Sequence, residues 1–189
     1  MKILVITGPP YSGKGTQCEI LKNELGFRHI STGDRIRLEK EQNTEFGIIA
    51  NEYEKKGDLV PDSIMKTLLG KIVDENIEET GIILDGYPRT EIQVDTLIDL
   101  FKEKGMLIDK VINIEVPKDE LLIRAKKRAE TSDRIDDQDP KTHFKRINIF
   151  ESTTRPAIEY MKSKLNVISI DGSASIEEIT DKLKKVIYT

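Results

Sequence analysis

The sequence predicts a doubly wound α/β domain on a parallel sheet, and three observations carry that prediction. Short β-branched runs alternate with longer amphipathic stretches from one end of the chain to the other. Several short runs are continuously apolar rather than alternating, as expected of strands covered by helices on both faces. No linker, repeat, low-complexity tract or composition shift divides the 189 residues, so residues 1–189 read as a single domain of ordinary size.

Five strands are expected, at Lys2–Thr7, Arg28–Ser31, Ile82–Asp85, Val111–Val116 and Val167–Asp171. The first runs through a glycine-rich turn into a helix that begins near Lys14. Between Pro61 and Asn76, the residues Ile64, Met65, Leu68, Leu69, Ile72 and Val73 recur at helical spacing. Asp139-Pro140 reads as the N-cap and first turn of a further helix. Ser175 and Glu178 form a capping box ahead of Ile176, Ile179, Leu183, Val186 and Ile187, so a helix closes the fold.

Composition narrows the function classes. The net charge of −4 argues against a nucleic-acid binder, whose domain is usually strongly basic. Charged residues reach 34%, yet 27 isoleucines and 15 leucines supply enough apolar material for one core. The single cysteine, Cys18, can form neither an internal disulfide nor a cysteine-rich zinc site. The first residues lack the apolar segment of a secretory signal, and no apolar run approaches the ~18 residues of a membrane span. The expectation is a cytoplasmic, soluble protein without membrane or nucleic-acid partners.

The loop after the first strand reads Gly8-Pro9-Pro10-Tyr11-Ser12-Gly13-Lys14-Gly15-Thr16. Strand, glycine loop and helix N-terminus form the setting in which a G-x-x-x-x-G-K pattern binds phosphate. Small residues let successive backbone N–H groups converge on a phosphate chain, and the helix end adds partial positive charge. Ser12, Gly13, Lys14, Gly15 and Thr16 are therefore the candidate ATP-phosphate residues, with Lys14 neutralising the β- and γ-phosphates. The hydroxyl for Mg2+ falls to Thr16, because Gly15 stands where the strict motif has Ser or Thr. The dinucleotide fingerprint does not follow this strand, which disfavours a nicotinamide enzyme. Neither D-x-x-G nor N-K-x-D occurs downstream, which disfavours a GTPase.

Gly13-Lys14-Gly15-Thr16-Gln17 is more specific than a generic phosphate loop. With Ser31-Thr32-Gly33-Asp34-Arg35-Ile36-Arg37 and Leu84-Asp85-Gly86-Tyr87-Pro88-Arg89-Thr90, it closely resembles the nucleoside monophosphate kinases, and among them the short-lid adenylate kinases. The resemblance covers essentially the whole chain and keeps motif order and spacing. It implies a P-loop NTPase fold with five parallel strands flanked by helices, an AMP-binding flap at about residues 31–60 and a short lid at about 128–138.

Carried over position by position, the resemblance implies AMP contacts at Thr32, at Arg37 on the phosphate, at Asp58, Leu59 and Val60 by the adenine, and at Gly86, Tyr87, Pro88 and Arg89 on the phosphate. Gln93 is implied to read the adenine edge, and Asp85 to hold Mg2+ through water. Arg124 and Gly172 are implied near the ATP base and Arg128 on its phosphates. Arg134 and Arg146 match the lid-side arginines that grip the transferring phosphoryl group. Lys14, Arg89, Arg128, Arg134 and Arg146 are then the catalytic set, acting on ATP, AMP and ADP. The implied activity is reversible transfer from Mg-ATP to AMP by a monomer. The alternatives are a UMP/CMP kinase of the same fold and a non-catalytic nucleotide sensor. No zinc is expected, since neither Cys nor His lies among Ala129 to Asp133.

Two positions depart from the family pattern. Tyr11 stands where glycine is usual in the loop, and Asp133 where glycine commonly precedes the lid arginine. Tyr11 is expected to take a tolerated backbone angle and turn its ring out of the loop over apolar surface; the alternative is a ring that leans into the cleft against the lid or a nucleotide. His29, in a strand, and His143, on a helix, are expected to be structural. Phosphoryl transfer needs positioning and charge neutralisation, and a phosphate nucleophile already ionised at neutral pH needs no general base.

Overall fold

β1 (Lys2–Thr7) lies at the centre of a five-stranded parallel sheet of order β2-β3-β1-β4-β5. The computed structural model describes residues 1–56, 58–131 and 138–189, apart from the side chains of Glu54 and Lys56. The other strands are β2 (Arg28–Ser31), β3 (Gly81–Asp85), β4 (Lys110–Glu115) and β5 (Val167–Asp171). Register places Ile3 opposite Ile82, and Val5 between Leu84 and Val111. The expected strands agree to within one residue, β3 and β4 each beginning one place earlier.

The continuous apolar runs are explained by helices on both faces. Ile3, Val5, Ile82, Leu84 and Val111 face one core cluster, which α4 (Asp62–Glu75), α5 (Glu91–Glu103) and α8 (Arg155–Lys162) complete through residues such as Leu69, Leu97 and Met161. Leu4, Ile6, Ile83, Ile112 and Ile114 face a second, with Leu21 of α1 (Lys14–Leu25), Leu121 of α6 (Lys118–Ala129) and Leu183 of α9 (Ile176–Tyr188). The Ser175–Glu178 capping box is formed, and Asp139 caps α7 (Pro140–Ile149). Among the described residues, no helix is long and apolar enough to cross a membrane.

α7 and α8 are joined by a π-helical turn, Phe150–Thr154, that the sequence reading does not anticipate. Pro156 explains it. Proline has no N–H for the carbonyl four residues back and its ring crowds that carbonyl. The helix widens instead, and the Arg155 N–H donates to the carbonyl of Phe150, five residues back.

α2 (Thr32–Glu41) and α3 (Glu45–Lys56) pack as a close pair beside the sheet. A Cβ on Gly47 would collide with the carbonyl of Glu39, so contact at this distance requires glycine. Arg35 ties the pair to α4, donating to both carboxylate oxygens of Glu75 at 2.7 and 2.9 Å and to Glu39 at 3.0 Å. Glu39 is buried and accepts from Thr44 Oγ1 at 2.6 Å. That bond, with Arg35, holds its carboxyl below the usual carboxylate range.

Two glycines therefore predict opposite outcomes in chemical denaturation. Gly47→Ala forces α2 and α3 apart and should destabilise the fold by about 1–3 kcal/mol. Gly70, inside α4, has open space where its Cβ would lie. Gly70→Ala should stabilise by up to ~1 kcal/mol, because alanine is the better helix former.

Candidate active site

The crevice at the carboxyl ends of the strands, where connections leave β1 and β4 for opposite sides of the sheet, is the usual ligand position in such folds. The loop at the end of β1 fills its floor. Gly8 has φ 139°, and a Cβ there would collide with the carbonyl of Ile114 on β4. Gly13 caps α1 at φ 90°. Between them Ser12 N donates to the carbonyl of Pro9 at 3.3 Å, closing a tight turn. Lys14 reaches back over this turn, its Nζ 2.8 Å from the same carbonyl. Thr16 lies exposed in the first turn of α1.

Lys14 binds its proton weakly. Burial is the chief cause, and the nearby Arg89 and Arg146 add to it; Asp85 opposes them, and the pKa falls from 10.5 to about 8. Three cations from α1, the loop after β3 and α7 thus share one neighbourhood, and Asp85 is the main opposite charge acting on Lys14. Asp85 ends β3 and is nearly buried.

On the β2–β3 side, Thr32 Oγ1 donates to the Asp85 carbonyl at 3.2 Å. Gly86 turns at φ 82°, and a Cβ on it would lie 2.9 Å from Thr32 Oγ1. Arg89 Nε donates to the Gly86 carbonyl at 2.7 Å. Gln93 is buried, with its amide engaged at both ends. Its Oε1 accepts from Arg89 N at 2.8 Å, and its Nε2 donates to Asp62 at 2.8 Å. In this arrangement Gln93 braces the Arg89 loop against α4. Tyr87 is buried beneath the loop and precedes Pro88. Arg37 is paired with Asp34 one turn earlier on α2. Asp58 pairs with Lys145 of α7 at 2.9 Å, Leu59 is half-buried and Val60 buried.

On the other side, Arg124 staples the loop to the end of β5. It donates to the carbonyls of Gly172 at 2.9 Å and Ser12 at 3.4 Å, and Glu120 holds its Nε at 2.8 Å. Arg128 and Arg146 flank the ring of Tyr11, at 5.9 and 5.6 Å from its centroid. The structure thus corrects the expectation for Tyr11. Its φ is 68°, in the left-handed region, and its ring is buried among the arginines with His143 packed edge-on at 5.3 Å. Attraction of two guanidinium groups to the ring counters the backbone strain. The departure from glycine at Tyr11 was the one sequence signal of this contact. Asp62 and Lys145 carried none, since their partners lie far along the chain, whereas Glu120 stands at helical i,i+4 spacing from Arg124. Arg134 and Asp133, with most of the expected lid, lie outside the described residues.

Two predictions follow from this geometry. Lys14 is about half protonated near pH 8 in the free protein, and a bound phosphate chain restores the charged form. Nucleoside triphosphate binding at pH 8 should therefore take up protons, and affinity should fall as pH rises further. Calorimetry in buffers of different ionisation enthalpy reads the uptake, which Lys14→Met should abolish. For Tyr11, loss of two cation–π contacts of about 0.5–1 kcal/mol each predicts a roughly tenfold drop in turnover for Tyr11→Gly. Tyr11→Phe keeps the ring and should stay near the parent rate in a steady-state assay.

Comparison with known proteins gives the family. A family model described as adenylate kinase matches residues 6–166. The chain is 38% identical over 176 residues to the adenylate kinase of Bacteroides thetaiotaomicron, covering 93% of each chain. It is 37% identical over 184 residues to that of Parabacteroides distasonis, covering 97% of this chain and 96% of the other. With the adenylate kinase of Leptospira biflexa it shares 40% identity over 190 residues, covering 99% of this chain and all of the relative. A match over this length, on a fold whose phosphate loop, strand-end carboxylate and arginines meet in one cleft, means that the chain belongs to the adenylate kinase family.

Proposed function

We propose that this enzyme moves a phosphoryl group reversibly between Mg-ATP and AMP, giving two ADP, with ATP over the phosphate loop and AMP beside Arg89. The observation that carries the reading is the placing of Lys14 over the turn of the phosphate loop, 2.8 Å from the Pro9 carbonyl, with Asp85, Arg89 and Arg146 as its charged neighbours. Basic side chains gathered at a helix N-terminus favour polyanions, and two nucleotides meeting end to end supply them. Lys14 and the loop amides would hold the ATP phosphates, Arg37 and Arg89 the AMP phosphate, and Arg128, Arg134 and Arg146 the group in transit. Thr16 and Asp85 are hard oxygen donors that suit Mg2+, the aspartate acting through water. The base contacts proposed are Asp58, Leu59, Val60 and Gln93 for AMP, and Arg124 and Gly172 for ATP. For Gln93 this requires exchange of its Arg89 and Asp62 partners for the adenine edge.

The flap at about 31–60 and the lid at about 128–138 would close over the two nucleotides and keep water from the phosphoryl group. The working form proposed is a cytoplasmic monomer with a zinc-free lid. A coupled assay offering AMP, UMP, CMP and GMP in turn tests the reaction, and AMP should be used best. Rapid use of UMP or CMP instead would favour the pyrimidine kinase reading. Arg89→Ala should weaken AMP binding in calorimetry and slow transfer roughly 100–1,000-fold. Undiminished AMP affinity in that variant would remove Arg89 from the AMP site.

A further inference from the structure

Cys18 of α1, His29 of β2 and Asp85 of β3 each bring one ligand atom to a common point beneath the phosphate loop, all within 4.8 Å of one another. Cys18 and His29 have no part in the reaction proposed above. The histidine is the informative member. Its side chain is only 7% exposed, and its Nδ1 lies 2.6 Å from Glu19 Oε1. Its Nε2 is buried without a hydrogen-bond partner among the described residues and faces Asp85 Oδ2 at 3.6 Å. A buried polar atom left in this way calls for an explanation, because desolvating it is not offset by a bond.

We propose that Cys18, His29 and Asp85 form an inhibitory site for a borderline-soft divalent cation such as Zn2+. Thiolate, imidazole and carboxylate are the donors zinc takes, and the fourth position is left to water. Glu19 supplies the carboxylate that ligating histidines commonly engage through their other nitrogen, which orients Nε2 toward the metal. A tetrahedral zinc sets its donors about 3.3–3.8 Å apart, so the three side chains need to close by about 1 Å. Mg2+ prefers an all-oxygen octahedron and does not compete for a thiolate.

Coordination drives the thiol proton of Cys18 into solvent and needs the Nε2 lone pair of His29. Binding rests on these side chains alone. Inhibition rests on the proposed use of Asp85 for Mg2+, because the bound metal ties up that carboxylate and adds positive charge beside Lys14.

The test is a Co2+ titration of the full chain, followed by Zn2+ displacement. Cys18 is the single cysteine, so a thiolate-to-cobalt charge-transfer band reports this residue in the unaltered protein. The expected result is one Co2+ per chain with that band, displaced by Zn2+ and not by Mg2+. Glu19→Gln should weaken the metal 10–100-fold and leave basal turnover unchanged. Cys18→Ala should stay active and lose its sensitivity to Zn2+, and His29→Gln should bind the metal more weakly. Co2+ binding without the band, or undiminished Zn2+ inhibition of Cys18→Ala, overturns the site. A band without inhibition overturns the inhibitory role and, with it, the use of Asp85 for Mg2+, while phosphoryl transfer itself is judged separately by the coupled assay.

Discussion

The loop after β1 must turn within a few residues at the buried carboxyl end of that strand, and the site is arranged around that constraint. Gly8 passes so close to the Ile114 carbonyl of β4 that no side chain fits, and Gly13 starts α1 from a left-handed conformation. The turn leaves backbone amides at the helix N-terminus available to an anion, where the helix dipole adds to them. It also brings Lys14 back over the Pro9 carbonyl, into partial burial beside two arginines. Neighbouring features then hold the loop in place: Arg124 bridges its Ser12 carbonyl to Gly172, and Tyr11 packs between Arg128, Arg146 and His143.

Charge is what this scaffold stores. Burial of Lys14 lowers its pKa, Arg89 and Arg146 add to the shift, and Asp85 opposes it. Such preorganisation is unfavourable in the free protein and favourable once phosphates arrive, which is how a site without a proton-transfer group can speed phosphoryl transfer. The free-state penalty falls on stability as well. A lysine whose pKa is lower folded than unfolded destabilises the fold below pH about 8, and the penalty fades as pH rises toward 10.5. The buried cores on both faces of the sheet absorb it.

Sequence reading went furthest where the signal is local. Strand ends came within one residue because each run is short, apolar and bounded by turn residues. The Ser175–Glu178 and Asp139–Pro140 caps were visible because their bonds span three residues or fewer. Gly13, Lys14 and Thr16 were legible because strand, turn and helix are adjacent along the chain. The π turn at Phe150–Thr154 was not, although Pro156 causes it, because proline also begins ordinary helices.

What the sequence by itself determined is the α/β alternation, the phosphate loop and the membership of Arg37, Arg89, Arg124, Arg128 and Arg146 in motifs. Only the tertiary structure decided which groups those arginines meet. Arg37 turns to Asp34, Arg124 to two backbone carbonyls, and Arg128 and Arg146 to the ring of Tyr11. It also showed Gln93 engaged with Arg89 and Asp62, and brought Cys18, His29 and Asp85 together from a helix and two strands. The physical reason is range. Periodicity, capping and turn chemistry act over a few residues, whereas a buried side chain takes its partners from whichever strands and helices the sheet order makes neighbours.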